Sequence, residues 1–258
     1  MFDFIIVPFT NALVFIYSLL GENFGLAIIV FTILVRVVTY PFNAQQMKST
    51  RAMQELQTNP KYKAMQAKYK GKENREKLAK AQMELYQEMG INPLAGCLPT
   101  IIQIPLLISM YWAITRALAA TPLQLLDLAK GISLPNAANL IPLNSHFLWM
   151  DLGQPERLFI PGIPIGIPVL AIVVMVSSYF QSKMMTPTTG ANDQAAGMGR
   201  MMSLYIPILM AYISYIYAAG LALYFVMSNI LSIAQYYISR RPKPQAPATQ
   251  GAISQGTK

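Results

Sequence analysis

A run of 39 residues, 201–239, contains no charged side chain and sets the first limit on the fold. As one straight helix this run would be roughly 60 Å long, about twice the thickness of the hydrocarbon core of a bilayer. We therefore predict two membrane-spanning helices that fold back on each other. The natural place for their turn is the sequence Ala218-Ala219-Gly220.

Three further stretches are long and apolar enough to cross a bilayer, which takes about 20 helical residues. Residues 24–42 are apolar except for Arg36, and residues 91–115 and 158–182 carry no charge at all. The sequence therefore predicts an all-α polytopic membrane protein with five transmembrane helices. We place these spans at 23–43, 91–116, 158–183, 201–217 and 219–239.

The composition agrees with a membrane protein. Hydrophobic residues make up 54% of the chain and charged residues only 12%, whereas soluble proteins average about 25% charged residues. The only cysteine, Cys97, and the only histidine, His146, can form neither an internal disulfide nor a metal site without other ligands. We expect both residues to be structural, and we expect no metal, no cofactor and no enzymatic activity.

The distribution of lysine and arginine predicts the orientation, because these residues are enriched in cytosolic loops. If the basic block at 45–90 is cytosolic, sixteen Lys and Arg residues lie on the cytosolic side. Only Arg116, Lys130 and Arg157 lie on the other side or at its border. The predicted orientation is therefore N-terminus outside and C-terminus inside.

The segments between the spans have distinct predicted structures. We expect residues 1–22 to form an interfacial helix on the outer leaflet, with a sixth span as the alternative. Residues 44–90 are predicted to form a cytosolic helical hairpin, interrupted at Asn59-Pro60, where proline can begin a new helix. The remaining segments are an outer loop at 117–157, a cytosolic loop at 184–200 and a disordered cytosolic tail at 240–258.

The predicted hairpin carries a basic outer face that could recruit partners. Acidic residues are mixed with its lysines, which is more typical of a solvated helical face than of a sequence-specific nucleic-acid site. The net charge of +9 favours anionic lipids as a partner surface. The face comprises Lys61, Lys63, Lys68, Lys70, Lys72, Arg75, Lys77 and Lys80.

Arg36 is the one full charge away from the ends of the predicted spans, and an arginine at mid-depth is costly. No acidic residue occurs in any span, so a buried ion pair is not expected. Arg36 could extend to the cytosolic headgroups, or it could line a water-filled cavity open to the cytosol. Candidate polar residues for such a cavity are Thr39, Gln103, Gln181, Ser228, Asn229 and Gln235, although each alone is more often a helix–helix contact.

Three motifs of this chain resemble the YidC/Oxa/Alb family of membrane protein insertases. They read RVVTYPFNAQQMKS at 36–49, INPLAGCLPTIIQIPLL at 91–107 and AAGLALYFVMSNILSIAQ at 218–235. They occur in the family's order, with the basic hairpin between the first two, and the resemblance covers roughly 24–238. It implies a short form of the family, without the large outer-face domain, in the bacterial inner membrane.

The resemblance implies a five-helix core with a polar groove that is closed to the outside and contains Arg36. It also implies aromatic contacts with a passing client segment at Tyr224 and Phe225, where the family often has Tyr-Trp. The implied partners are nascent membrane proteins, with the ribosome and the Sec translocon as further candidates. The groove would shorten the low-dielectric path for a polar flank, and Arg36 would attract acidic flanks.

Two other functions compete with insertion. A small-molecule or anion transporter could use Arg36 as its binding site, but such proteins usually contain internal repeats, and none is apparent here. A membrane enzyme would need convergent acid–base or nucleophilic groups at membrane depth, and the predicted spans offer none.

Overall fold

The computed structural model describes residues 3–69, 74–90, 98–118, 121–132, 140–159, 161, 166–185 and 194–239. These residues form ten α-helices and one two-stranded antiparallel sheet. The helices are α1 (Asp3–Leu19), α2 (Phe24–Val38), α3 (Tyr40–Thr58), α4 (Pro60–Lys68), α5 (Arg75–Glu88), α6 (Leu98–Ala117), α7 (Pro122–Gly131), α8 (Val169–Met185), α9 (Gln194–Ile216) and α10 (Ala219–Ser239), and the strands are β1 (His146–Phe147) and β2 (Met150–Asp151). The predicted tail at 240–258 and Cys97 lie outside the described residues.

The long uncharged run at 201–239 is divided into two helices. α9 ends at Ile216 and α10 begins at Ala219, so the break falls at the predicted turn. α8 packs against both of these helices, and α10 also packs against α2. Ser214 bonds back to the carbonyl oxygen of Met210 within α9 at 2.8 Å, which is how hydroxyl groups are commonly satisfied inside membrane helices.

The predicted first span bends near the end that leads into the basic hairpin. α2 and α3 meet at Thr39, and their axes differ by 65°. Pro41 explains the bend, since its ring clashes with the carbonyl group four residues earlier and it has no N–H to donate. The predicted span at 23–43 therefore extends past α2 into the first residues of α3, whose axis points in a different direction from that of α2.

Length and composition identify a limited set of spans among the described helices. α10 alone is long and apolar enough to cross a bilayer as a single helix. Two bent pairs qualify if each is counted as one span: α2 with the first part of α3, and the second half of α6 with α7. α1 and α8 are apolar but shorter, and the apolar part of α9 is confined to Ser203–Ile216.

α1 packs against α2 and α6. Its first residue, Asp3, accepts a hydrogen bond of 2.6 Å from Arg116 at the end of α6. Near its other end, the ring of Tyr17 packs against Phe24, the first residue of α2. The hydrogen bond and the charge of Arg116 lower the pKa of Asp3 from its ordinary value. Both ends of α1 are thus attached to the same end of the bundle.

The long loop before α8 covers that same end of the bundle. The carbonyl oxygen of Leu152 accepts a hydrogen bond of 2.9 Å from the backbone N–H of Gly220, and that of Gln154 accepts one of 2.8 Å from Ala219. These bonds satisfy N–H groups at the start of α10, which have no partner within the helix. A Cβ on Gly220 would lie 3.0–3.2 Å from Ile114, Ile28 and the Leu152 carbonyl, so glycine allows α2, α6 and the loop to meet here.

Glu156 fastens the loop to α8. Its carboxylate is buried and accepts a hydrogen bond of 3.1 Å from Nε1 of Trp149 and one of 3.0 Å from the backbone N–H of Leu170. Leu170 lies in the first turn of α8, where a negative charge interacts favourably with the helix dipole. Trp149 is therefore a hydrogen-bond donor within the loop.

The hairpin at the other end of the bundle has a small core of its own. Asn59 caps α4 by accepting a hydrogen bond of 2.9 Å from the N–H of Lys61, and Pro60 is the first helical residue. This confirms the predicted interruption at Asn59-Pro60. Leu56, Tyr62 and Leu85 are buried together between α3, α4 and α5.

Candidate functional site

Arg36 forms a direct contact between α2 and α10. Its Nη2 donates a hydrogen bond of 3.0 Å to the carbonyl oxygen of Ser228 and a second, short one to the hydroxyl oxygen of the same residue. Ser228 is buried and Arg36 is half-buried. The guanidinium group thus reaches sideways to α10.

Asn229, the next residue of α10, points to a different neighbour. Its Nδ2 donates hydrogen bonds of 3.0 Å to the hydroxyl of Ser177 and 2.8 Å to that of Ser178, both on α8. Two adjacent residues of α10 therefore bind α2 on one side and α8 on the other. The result is a polar belt, defined here as Arg36, Ser228, Asn229, Ser177 and Ser178, across three apolar helices.

Thr39 and Gln181 lie near this belt without joining it. The hydroxyl group of Thr39 donates to the carbonyl oxygen of Val35 at 2.8 Å and accepts from Asn43 at 3.3 Å, so it serves the bend between α2 and α3. Gln181 is half-buried and lies one helical turn beyond Ser177 and Ser178 on α8. The side chain of the predicted Gln103 lies outside the described residues, although its backbone belongs to α6.

Gln235 lies two turns beyond Ser228 on α10 and leaves a polar atom unsatisfied. Its Nε2 is buried, and among the described residues it has no hydrogen-bond partner. An unpaired buried amide is costly in protein, and more so near lipid. The atom is consistent with a position that water or another polar group can reach.

Tyr224 and Phe225 are packed in the core of this structure. Their side chains are 2% and 6% exposed, and their ring centroids are 5.9 Å apart. Tyr224 lies one turn from Ser228 toward the start of α10, close enough to Arg36 for an electrostatic interaction. Neither ring is presented at the surface, so aromatic contact with a passing segment would require the helices to separate.

The charge of Arg36 is not neutralised by a carboxylate within the described part of the chain. An arginine carries five N–H donors, and the described residues accept only from its Nη2. The remaining donors can bind an anionic group that reaches the site. The described residues bring together no group of three His, Cys, Asp or Glu side chains that could hold a metal ion.

The predicted basic face is exposed wherever the structure describes it. Lys61, Lys63, Lys68, Lys77 and Lys80 all project from α4 and α5 into solvent. The ammonium group of Lys61 lies 3.2 Å from Glu88, with both side chains mostly exposed, so this pair adds little stability. Lys70, Lys72 and the side chain of Arg75 lie outside the described residues.

Sequence reasoning missed two features of this region. Ser177 and Ser178 form the α8 end of the polar belt, and the Ser-Ser pair in an uncharged span was the available signal. Arg51 on α3 donates to the carbonyl oxygen of Ser239 at 2.6 Å and to that of Tyr236 at 3.3 Å. It thereby satisfies carbonyl groups at the end of α10. No sequence pattern predicts that Arg51 contacts residues 185 and 188 positions further along the chain.

Comparison with known proteins identifies the family. The model of the 60Kd inner membrane protein family matches residues 15–246. The chain is 33% identical over 254 residues to Membrane protein insertase YidC 2 of Bacillus anthracis, covering 97% of this chain and 85% of that protein. It is also 33% identical over 251 residues to Membrane protein insertase MisCA of Bacillus subtilis strain 168, covering 94% of this chain and 82% of that protein.

A solved structure has a similar fold. It is described as the crystal structure of an active YidC insertase with its first transmembrane domain resolved, and it aligns with a TM-score of 0.58 at 24% identity. The alignment covers 94% of this chain but only 47% of that one, so this chain spans about half its length. The chain belongs to the 60Kd inner membrane protein family, the family of the YidC-like insertases, and is a multi-pass protein of the bacterial inner membrane.

Proposed function

We propose that this protein is a membrane protein insertase that passes hydrophobic segments of nascent membrane proteins from the cytosol into the bilayer. It acts alone or with the Sec translocon. The observation that carries the proposal is the half-buried Arg36, which contacts Ser228 on α10 and has no carboxylate partner among the described residues. Its relatives, named as membrane protein insertases, support the same function.

The proposed topology has five spans, with the N-terminus outside and the C-terminus inside. α1 lies on the outer leaflet, because both of its ends attach to the end of the bundle where α2 begins and α6 ends. The lysine-bearing helices α4 and α5 follow the opposite end of α2, which supports a cytosolic position for them. The loop that covers the start of α10 closes the bundle on the outer side.

We propose that the polar belt lines a hydrated groove that opens to the cytosol and to lipid. In such a groove the fixed charge of Arg36 attracts an acidic flank more strongly than it would in bulk water, because the local dielectric constant is lower. The apolar segment of the client then moves sideways into lipid, which is favourable because its apolar surface leaves water. The unsatisfied Nε2 of Gln235 supports hydration on the cytosolic side of Arg36.

The exposed lysines of α4 and α5 would serve as a recruitment face for negatively charged partners. Anionic lipids, the ribosome and acidic client flanks are the candidates. Exposed charges act mainly by steering such partners, and the attraction falls as ionic strength rises.

Reconstitution tests the proposal as a whole. Liposomes that contain only this protein should insert a single-span client with a short acidic N-terminal flank, whereas liposomes without protein should not. Insertion is measured as protection of the flank from added protease. Equal protection in both kinds of liposome contradicts the proposal. The alternative, an anion transporter that uses Arg36 as its binding site, predicts anion flux and no dependence of insertion on the protein.

A further inference from the structure

A second polar feature lies away from the belt, in a cavity of about 400 Å³ between α1, α6 and α7. Val7 and Leu128 supply apolar walls, and Trp112 contributes an aromatic ring. Arg116 from α6 and Asp127 from α7 bring opposite charges to the same cavity. A space of this size can hold a polar group of several atoms beside an apolar chain.

The cavity lies at the end of the bundle that the proposed orientation assigns to the outer leaflet. α1 forms one wall, with Asp3 bound to Arg116. Trp112 is about half exposed, and tryptophan is enriched at the boundary between headgroups and acyl chains. The cavity therefore opens where phospholipid headgroups are found.

The charges in the cavity favour a ligand that carries both signs. Nη2 of Arg116 donates a hydrogen bond to Asp3, and the other N–H groups of Arg116 have no acceptor within the described residues. They can therefore still bind a phosphate. Asp127 is exposed and has no partner within the described residues, so it can bind a cation. With Asp3 included, two carboxylates face one guanidinium group, which disfavours a ligand that is only anionic.

We propose that this cavity binds the headgroup of a zwitterionic aminophospholipid of the outer leaflet, with its phosphate on Arg116 and its ammonium group on Asp127. The glycerol and the acyl chains then follow the apolar wall at Val7 toward the bilayer. A bound lipid at this position joins α1 to α6 and α7. This site is separate from the polar belt, and its position in the outer leaflet rests on the orientation proposed above.

Native mass spectrometry of the full chain in detergent tests the proposal without reference to orientation. The protein is offered phosphatidylethanolamine, phosphatidylcholine and phosphatidylglycerol with identical acyl chains at equal concentration. We expect the strongest binding for phosphatidylethanolamine, because its ammonium group can donate hydrogen bonds to Asp127. Binding should be weaker for phosphatidylcholine, which has no such donors, and weakest for phosphatidylglycerol, which has no cation. Equal binding of all three lipids overturns the proposal.

A charge-neutral variant separates the site from general lipid binding. Asp127→Asn should weaken phosphatidylethanolamine binding about three- to fivefold, the effect of an exposed ion pair, without weakening phosphatidylglycerol. The matched control is Glu22→Gln, which removes an exposed carboxylate outside the cavity and should leave lipid preference unchanged. Equal losses in the two variants contradict the assignment. Glycerophosphoethanolamine, the soluble headgroup, should not compete with the lipid, and tight binding of it would instead identify a site for a water-soluble ligand.

Discussion

Asn229 on α10 donates a hydrogen bond of 2.8 Å to the hydroxyl group of Ser178 on α8. Asn229 directly follows Ser228, the residue that binds Arg36. The hydrogen bond to Ser178 joins α10, whose Ser228 binds Arg36, to α8. Helices in a membrane gain little from apolar burial against each other, so close packing and such hydrogen bonds hold them together. The position of α8 therefore depends on the same short segment of α10 as the position of Arg36.

Asn229→Ala should destabilise the folded protein, because it removes the bonds to Ser177 and Ser178. Interhelical hydrogen bonds in membranes contribute on average about 0.6 kcal/mol and at most about 1.7 kcal/mol, so we expect a loss in that range. A double-mutant cycle with Ser178→Ala, measured by unfolding in mixed detergent micelles, isolates the contact. Additive losses from the two single variants would mean that the bond does not contribute.

Arg51 should stabilise the C-terminal end of α10. Arg51→Ala removes the donors to the carbonyl groups of Tyr236 and Ser239, so the last turn of the helix should fray. Hydrogen exchange should become faster in residues 236–239 and stay unchanged near Ser228. Lys48→Ala is the matched control, because Lys48 is an exposed cation on the same helix without such a contact. The same exchange pattern in both variants would exclude a specific role for Arg51.

The proposed topology can be tested with single cysteines in a Cys97→Ser background. A cysteine at Lys68 should react with a membrane-impermeant thiol reagent only from the cytosolic side, since the proposed topology places α4 on that side. A cysteine at Leu123, an exposed position on α7, should react only from outside. Reaction at Leu123 from the cytosolic side would be incompatible with the five-span arrangement.

The lysine face should affect the rate of insertion without affecting the fold. Replacement of Lys61, Lys63 and Lys68 with Gln should slow client insertion, and raised salt should slow the wild type similarly, because exposed charges are screened within about 8–10 Å. Arg at the same three positions keeps the charge and should keep the rate. Loss of the folded protein in the Gln variant would assign the lysines to the fold instead.

Much of the helix pattern could be predicted because lipid imposes simple rules. The turn before α10 followed from the length of an uncharged run, and the start of α4 followed from Asn59-Pro60. The bend at Thr39 was missed, although Pro41 was its local signal. A hydropathy pattern measures the length of an apolar stretch and carries no information on the direction of its axis.

The site was predicted in part for a similar reason. Arg36 and Asn229 were identifiable because a polar residue in an apolar span needs a partner. Ser228 was a predicted candidate for the same cavity as Arg36, but the direct bond between them could not be derived, because the two residues lie on helices far apart in sequence. Ser178, the partner of Asn229 on α8, was not predicted. The burial of Tyr224 and Phe225 also depends on how α10 packs, which local sequence does not specify.

The role of Arg36 is tested most directly with two clients that differ only in the charge of the flank before the inserting segment. Insertion is measured in liposomes with the wild type, Arg36→Ala and Arg36→Lys, after each variant is verified to be folded. Arg36→Ala should slow the acidic client at least about fivefold, since two charges roughly 4 Å apart attract by about 1–4 kcal/mol between water and a dielectric constant near 20. The neutral client should be largely unaffected, and Arg36→Lys should retain most of the activity. Equal loss for both clients in the Ala variant would contradict an electrostatic role for Arg36.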